Sequence, residues 1–172
     1  VLGEITGRIM AMALVHEELY KTERLDAIPY AEYLSRLVSD LLRFLADGRE
    51  SVTPSVTGDS SVLGISTAIP LGLITVELIS NSVKHARLPD TPLRLQVDFR
   101  AAEAGAVLTV RDNGPGLPEQ PSRGAEGSLG LSVVEALCEQ IDAELRVENH
   151  DGARFEVRVP GATPQSTLST PL

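Results

Sequence analysis

Apolar positions recur along this 172-residue chain with two different periods, and the change of period marks the elements. Leu2, Ile5, Ile9, Met12, Ala13, Leu14 and Leu19 follow helical spacing and predict a helix over residues 1 to about 22. A second stripe, Leu34, Leu37, Val38, Leu41, Leu42 and Leu45, predicts a helix within "LDAIPYAEYLSRLVSDLLRFLAD". Pro29 sits near its first turn, where a missing N–H does no harm, and Gly48 follows its end. "SVTPSVTGD" and "SVLGIST" read as short strands or loops. A third helix, about Ile69 to Ala86, places Leu73, Val76, Ile79 and Val83 on one side. The period then drops to two. Leu93, Leu95, Val97 and Phe99 alternate with polar residues in a half-buried strand, "EAGA" turns, and "VLTVRD" returns. "NGPGLPEQPSRGAEGS" is too rich in glycine and proline for regular structure, and is long for a connection inside a domain. "SLGLSVVEALCEQI" follows as a helix capped by Ser128, then the strands "AELRVEN" and "ARFEVRVP" joined at "HDG". The tail "GATPQSTLSTPL" reads as disordered.

Two helices followed by hairpin strands interleaved with long helices predict an α+β chain, a two-layer α/β sandwich. Aromatic residues make up 3%, which predicts an aliphatic core. A formal net charge of −9 argues against electrostatic binding to nucleic acid or an anionic membrane. No apolar run reads as a bilayer span. The one cysteine, Cys138, forms no internal disulfide, suits a reducing compartment and reads as a packed core thiol. The start at Val1, within a helical pattern, reads as part of something longer.

Three segments carry candidate chemistry. In "ELISNSVKHA", Glu77, Asn81, Lys84 and His85 fall at i, i+4, i+7 and i+8. The carboxylate and carboxamide suit a hard cation such as Mg²⁺, and Lys84 suits a phosphate. A solvated helix face has the same spacing. In "VRDNGPGLP", Asp112 can accept from an exocyclic amine, and the glycines allow close backbone approach; an ordinary strand-ending turn fits as well. "GAEGSLGLSVVEAL" leads a glycine-rich loop into a helix N-terminus, a place for phosphate, although its spacing is neither a P-loop nor a dinucleotide fingerprint.

Taken in order, "ELISNSVKHA", "DNGPG", "GSLGLSVVEAL" and "GARFEVRVP" resemble the ATP-binding domain shared by gyrase, heat-shock chaperones, mismatch-repair ATPases and sensor histidine kinases, the Bergerat fold. The likeness covers roughly Ser51 to Pro160 and is nearest to the bacterial histidine kinases. "RIMAMALVHEELYKTERLDAIPYAEYLSRLVSDL" is similar to the second dimerisation helix and its C-terminal neighbouring segment in the subgroup related to the HWE kinases. The resemblance implies partial dimerisation helices over 1–47, a catalytic domain over 48–161 and a tail over 162–172. It implies ATP and Mg²⁺ as ligands, with Asn81 holding the metal and Glu77 assisting the metal or the transfer. Lys84 and His85 would lie near the phosphates, and Asp112 would receive the adenine amine with Gly114 and Gly116 shaping the pocket. Leu117 to Gly127 would form a lid carrying Arg123, and Gly127, Ser128, Leu129 and Gly130 the phosphate-facing turn.

The implied activity is transfer of the ATP γ-phosphoryl group to a histidine, then to a response-regulator receiver domain, by a cytoplasmic homodimer. The acceptor histidine would lie on a helix upstream of Val1. His16 reads as a helix residue other than the acceptor, and His150 as a surface turn residue. Two departures stand out: Glu126 and Ser128 occupy glycine positions of the family turn, and Ala153 stands where a threonine usually supports the adenine-binding aspartate. A serine kinase of the anti-sigma-factor type, or a non-catalytic nucleotide-binding or dimerisation module of this fold, are the alternatives.

Overall fold

The computed structural model describes residues 2–21, 28–45, 52–86, 91–102, 104–117, 126–149 and 151–161. In chain order the elements are α1 (Leu2–Lys21), β1 (Ile28–Pro29), α2 (Tyr30–Leu45), β2 (Val52–Gly58), β3 (Val62–Leu63), α3 (Ile65–His85), β4 (Leu93–Ala102), β5 (Gly105–Asp112), α4 (Glu126–Gln140), β6 (Glu144–Asn149) and β7 (Ala153–Pro160). Five strands form one sheet in the order β2-β4-β5-β7-β6. β2 runs parallel to β4, and the other pairs are antiparallel. The sheet is therefore mixed, and with helices on one face the chain is an α+β two-layer sandwich. Pro54 is tolerated in β2 because that strand is an edge.

The period of two sorts the strand residues. Leu93, Leu95, Val97 and Phe99 of β4, Leu108 and Val110 of β5, and Phe155, Val157 and Val159 of β7 are buried beneath the helices. The opposite face carries ion pairs: Arg154 bonds Glu148 at 2.7 Å and Glu156 at 2.6 Å, and Arg158 bonds Glu156 at 2.6 Å. Burial alone would raise the Glu156 carboxyl, but Arg158, Arg154 and, more distantly, Arg146 outweigh it and hold it below the usual glutamate value.

α3 is the central helix. Leu71, Ile74, Val76, Leu78 and Ile79 are fully buried, because α1, α2 and α4 pack around it as well as the sheet. It is long and apolar enough by composition to cross a membrane, contrary to the expectation from its apolar runs, but most of it is buried within the protein. It also starts earlier than its apolar stripe predicts, at Ile65, and carries Pro70 inside it.

Three further expectations need correction. The core is not purely aliphatic: Tyr30, Tyr33 and Phe99 are fully buried, with Tyr30 and Phe99 ring centroids 4.6 Å apart. Pro29 precedes α2 and lies in the short β1 ladder with β3. The α1 stripe is split, since Ala11 and Leu14 face the core while Ile5, Ile9 and Met12 point outward, half or more exposed. Helical spacing identifies a face but not which face finds a neighbour. The tail 162–172 and His150 lie outside the described residues. His16 lies on α1, its side chain outside what is described.

The helices meet at one tight point. The Tyr33 hydroxyl of α2 donates to the Ala11 carbonyl of α1 at 3.2 Å, directly over Gly72 of α3. A Cβ at Gly72 would sit 2.1 Å from that hydroxyl oxygen. Gly72→Ala is expected to lower unfolding free energy by about 1–3 kcal/mol through overpacking, with part regained on adding Tyr33→Phe; urea denaturation checks both. On the open face, a carboxyl whose folded pKa is depressed contributes stability above its ordinary value, about 4.5, and loses it as pH falls through the folded value. Glu156→Gln should therefore lower the melting temperature at pH 7 and converge with the parent as pH falls below the folded value of the carboxyl.

Candidate functional site

β5 delivers the first site residue. Leu108, Val110 and Asp112 point inward in turn, so the last of them enters the layer beneath the helices as a buried charge. Both of its carboxylate oxygens accept hydrogen bonds from the protein. Oδ1 accepts from the backbone N–H of Gly114 at 2.9 Å and of Ala153 at 3.1 Å, and Oδ2 accepts from the Ser82 hydroxyl at 2.8 Å. A buried carboxylate needs such donors to remain an acceptor. Ala153 contributes its main-chain N–H to this carboxylate and no side-chain donor.

Backbone closeness holds the surroundings. A Cβ at Gly114 would lie 2.5 Å from Ala86 Cβ at the end of α3. One at Gly152 would lie 2.0 Å from the Asp112 carbonyl oxygen, and Gly152 has φ +118. Gly116, at φ +79, abuts Asn149. The Asn149 amide in turn brackets Leu117, accepting from its N–H at 2.9 Å and donating to its carbonyl at 2.8 Å. The start of the long loop is therefore pinned to the end of β6.

α3 supplies the other side. Asn81 is half-buried, and a Cβ at Gly130 would fall 3.1 Å from its Oδ1, so the glycine lets the first turn of α4 close on the amide. Lys84 and His85 are exposed at the C-terminal end of α3. Glu77 does not share the open side of the stripe expected for it. It is 1% exposed, and its Oε1 accepts from Arg8 Nε of α1 at 2.6 Å. α1 lies over that turn of α3, so the carboxylate is closed in and paired. α4 begins at Glu126, so Ser128 lies in its first turn rather than capping it. Arg123 lies outside the described residues, and of Gly127, Ser128 and Leu129 only the helical backbone is described.

An amide oxygen beside a glycine turn is a donor set that fits a hard cation taking few protein ligands and completing its shell with water and phosphate. Among the described residues no group of three or more His, Cys, Asp and Glu side chains is placed to hold a metal ion.

A family model described as "Histidine kinase-, DNA gyrase B-, and HSP90-like ATPase" matches residues 66–163, and one described as "Histidine kinase" matches residues 1–45. The chain belongs to this ATPase family. The blue-light-activated histidine kinase 2 of Erythrobacter litoralis is 30% identical over 149 residues, covering 83% of this chain and 42% of that protein. The sensor histidine kinase PdtaS of Mycobacterium tuberculosis is 29% identical over 164 residues, covering 92% of this chain and 32% of that protein. The chain thus spans less than half the length of these relatives. Among solved structures, the histidine kinase domain of an Erythrobacter litoralis blue-light activated kinase superposes with a TM-score of 0.77 at 25% identity, covering 91% of this chain and 74% of that one. The ATP binding domain of PrrB from Mycobacterium tuberculosis gives 0.61 at 25% identity, covering 80% of this chain and 97% of that one. The chain is therefore a histidine-kinase-type catalytic ATPase domain with N-terminal helices.

Four contributors to the site of this ATPase domain escape sequence reading: Ser82, the Ala153 N–H, Asn149 and Arg8. Ser82 had one faint signal, a hydroxyl next to Val83 on a helix side otherwise apolar. Arg8 had none, since 69 residues separate it from Glu77. Removing Arg8 leaves a buried carboxylate alone. Arg8→Ala is expected to cost about 2 kcal/mol, between the exposed and buried ion-pair limits because Arg8 is partly exposed. Adding Glu77→Gln should regain part of that in thermal melts.

Proposed function

We propose that this chain binds Mg²⁺·ATP and forms the donor half of a bacterial, cytoplasmic sensor histidine kinase. It passes the γ-phosphoryl group to a histidine on a dimerisation helix outside these 172 residues, and from there to a response-regulator receiver domain. The observation that carries this reading is the Asp112 carboxylate, buried, ringed by donors and thereby kept an acceptor for an exocyclic amine. Gly114 and Gly116 shape the adenine end. Asn81, one turn before the exposed Lys84 and His85, faces the phosphates and holds Mg²⁺; the ion, when bound, offsets charge on the phosphates. The N-terminal turn of α4, Gly127 to Gly130, presents backbone N–H groups to phosphate; Arg123, outside the described residues, is assigned to that end by the family resemblance alone.

Glu77 already has a cationic partner in Arg8, so it is a poor further metal ligand. A part for it in the transfer step, one turn before Asn81, would require Arg8 to release its carboxylate. The outward stripe of Ile5, Ile9 and Met12 supports pairing of α1 with other helices in a homodimer. The N-terminal match to a histidine-kinase model counts against the serine-kinase alternative.

Titration calorimetry should detect ATP and ADP binding that strengthens with Mg²⁺. Asn81→Ala should weaken the Mg²⁺-dependent part by about tenfold or more and abolish transfer to a supplied histidine-bearing acceptor domain. The chain alone should label little from radiolabelled ATP. Absence of nucleotide binding by the parent chain would sink the proposal.

A further inference from the structure

A carboxylate offers about four in-plane acceptor sites, two on each oxygen. In Asp112 the two on Oδ1 are taken by the Gly114 and Ala153 N–H groups, and one on Oδ2 is taken by Ser82. Among the described residues nothing takes the second site on Oδ2, and its direction depends on the Ser82 hydroxyl. Ser82 is 3% exposed and comes directly after Asn81, so one step along α3 addresses both ends of the site.

We propose that Ser82 is a positioning residue for nucleotide selectivity, aiming the last acceptor site of Asp112 at the exocyclic amine of a 6-aminopurine. This rests on the reading of Asp112 as the adenine acceptor. Ser82 acts through the carboxylate and need not touch the base. Because every protein group on the carboxylate donates, the remaining site takes a donor and rejects a carbonyl. An amine at purine position 6 fits, and a 6-oxo group sets acceptor against acceptor. Without the hydroxyl, two sites on Oδ2 open to water, and the carboxylate plane is held from one side only. The neighbouring supports stay in place, since Gly114 and Ala153 bond through their main chain.

The test uses the 172-residue chain with Mg²⁺ and two probes, ATP and purine riboside triphosphate, which has hydrogen at position 6. Ser82→Ala should weaken ATP by about tenfold, the loss expected for a hydrogen bond that orients a charged acceptor. It should leave purine riboside triphosphate within about twofold and reduce the preference for ATP over inosine triphosphate by the same factor as the loss for ATP. In transfer to a supplied acceptor, the loss should appear as a rise in the KM for ATP by about the same factor as the loss of binding. Equal losses for both probes, or an ATP affinity unchanged by Ser82→Ala, would overturn the proposal. Asp112→Asn is the control for the underlying reading. If Asp112→Asn also leaves ATP binding intact, the adenine assignment itself fails; if Asp112→Asn alone weakens it, only the role of Ser82 fails.

Discussion

A buried carboxylate that must find donors in the interior constrains this molecule more than any other single group. Asp112 stands where β5 ends beneath the helices, and it draws its donors from α3, from the turn after β5 and from the start of β7. Those three contacts bring together segments far apart in the chain. They also explain the close backbone approaches around them, at Gly114 against Ala86 and Gly152 against the Asp112 carbonyl. Side chains at those glycines would push away the groups that keep the charge satisfied. The same arrangement that makes the carboxylate tolerable in the interior makes it a selective acceptor, so stability and recognition rest on the same bonds.

Much of this was readable from residue patterns. Alternation in "TPLRLQVDFRA" placed β4 and its buried face, "ARFEVRVP" was legible as a strand, and period-two alternation in β5 aims Asp112 inward. Helical spacing placed α3 and, with it, Asn81 on a side distinct from the core. What was not readable depends on which surfaces meet. The stripe on α1 was visible, but Ile5, Ile9 and Met12 turned out to face away from α3, while the smaller Ala11 makes the contact. Glu77 shares helical spacing with Asn81 yet lies under α1, because the facing of a helix residue is decided by its neighbours and not by its own period. The aromatic cluster of Tyr30, Tyr33 and Phe99 joins two elements distant in sequence, so low aromatic content concealed its weight.

Cys138 illustrates the reverse case, where local context sufficed. Its helix pattern predicted a packed thiol, and it is buried on α4, with burial first and Glu135 second pushing its pKa up to about 11. A thiol so placed is a poor nucleophile at neutral pH.

The Arg8–Glu77 pair bears on how far the two recognisable segments are separate modules. The family models end and begin on either side of residues 46–65, as though a helical piece and an ATPase piece were joined end to end. Physically they share a charge: the ATPase piece contains the acid, and the helical piece contains its counter-ion. Severing the chain at the apparent seam would strip an interior anion of its partner one turn from the residue assigned to the metal. The boundary visible in sequence is a boundary of ancestry and not of electrostatics, and any transplant of this ATPase unit onto another input helix has to carry the arginine with it.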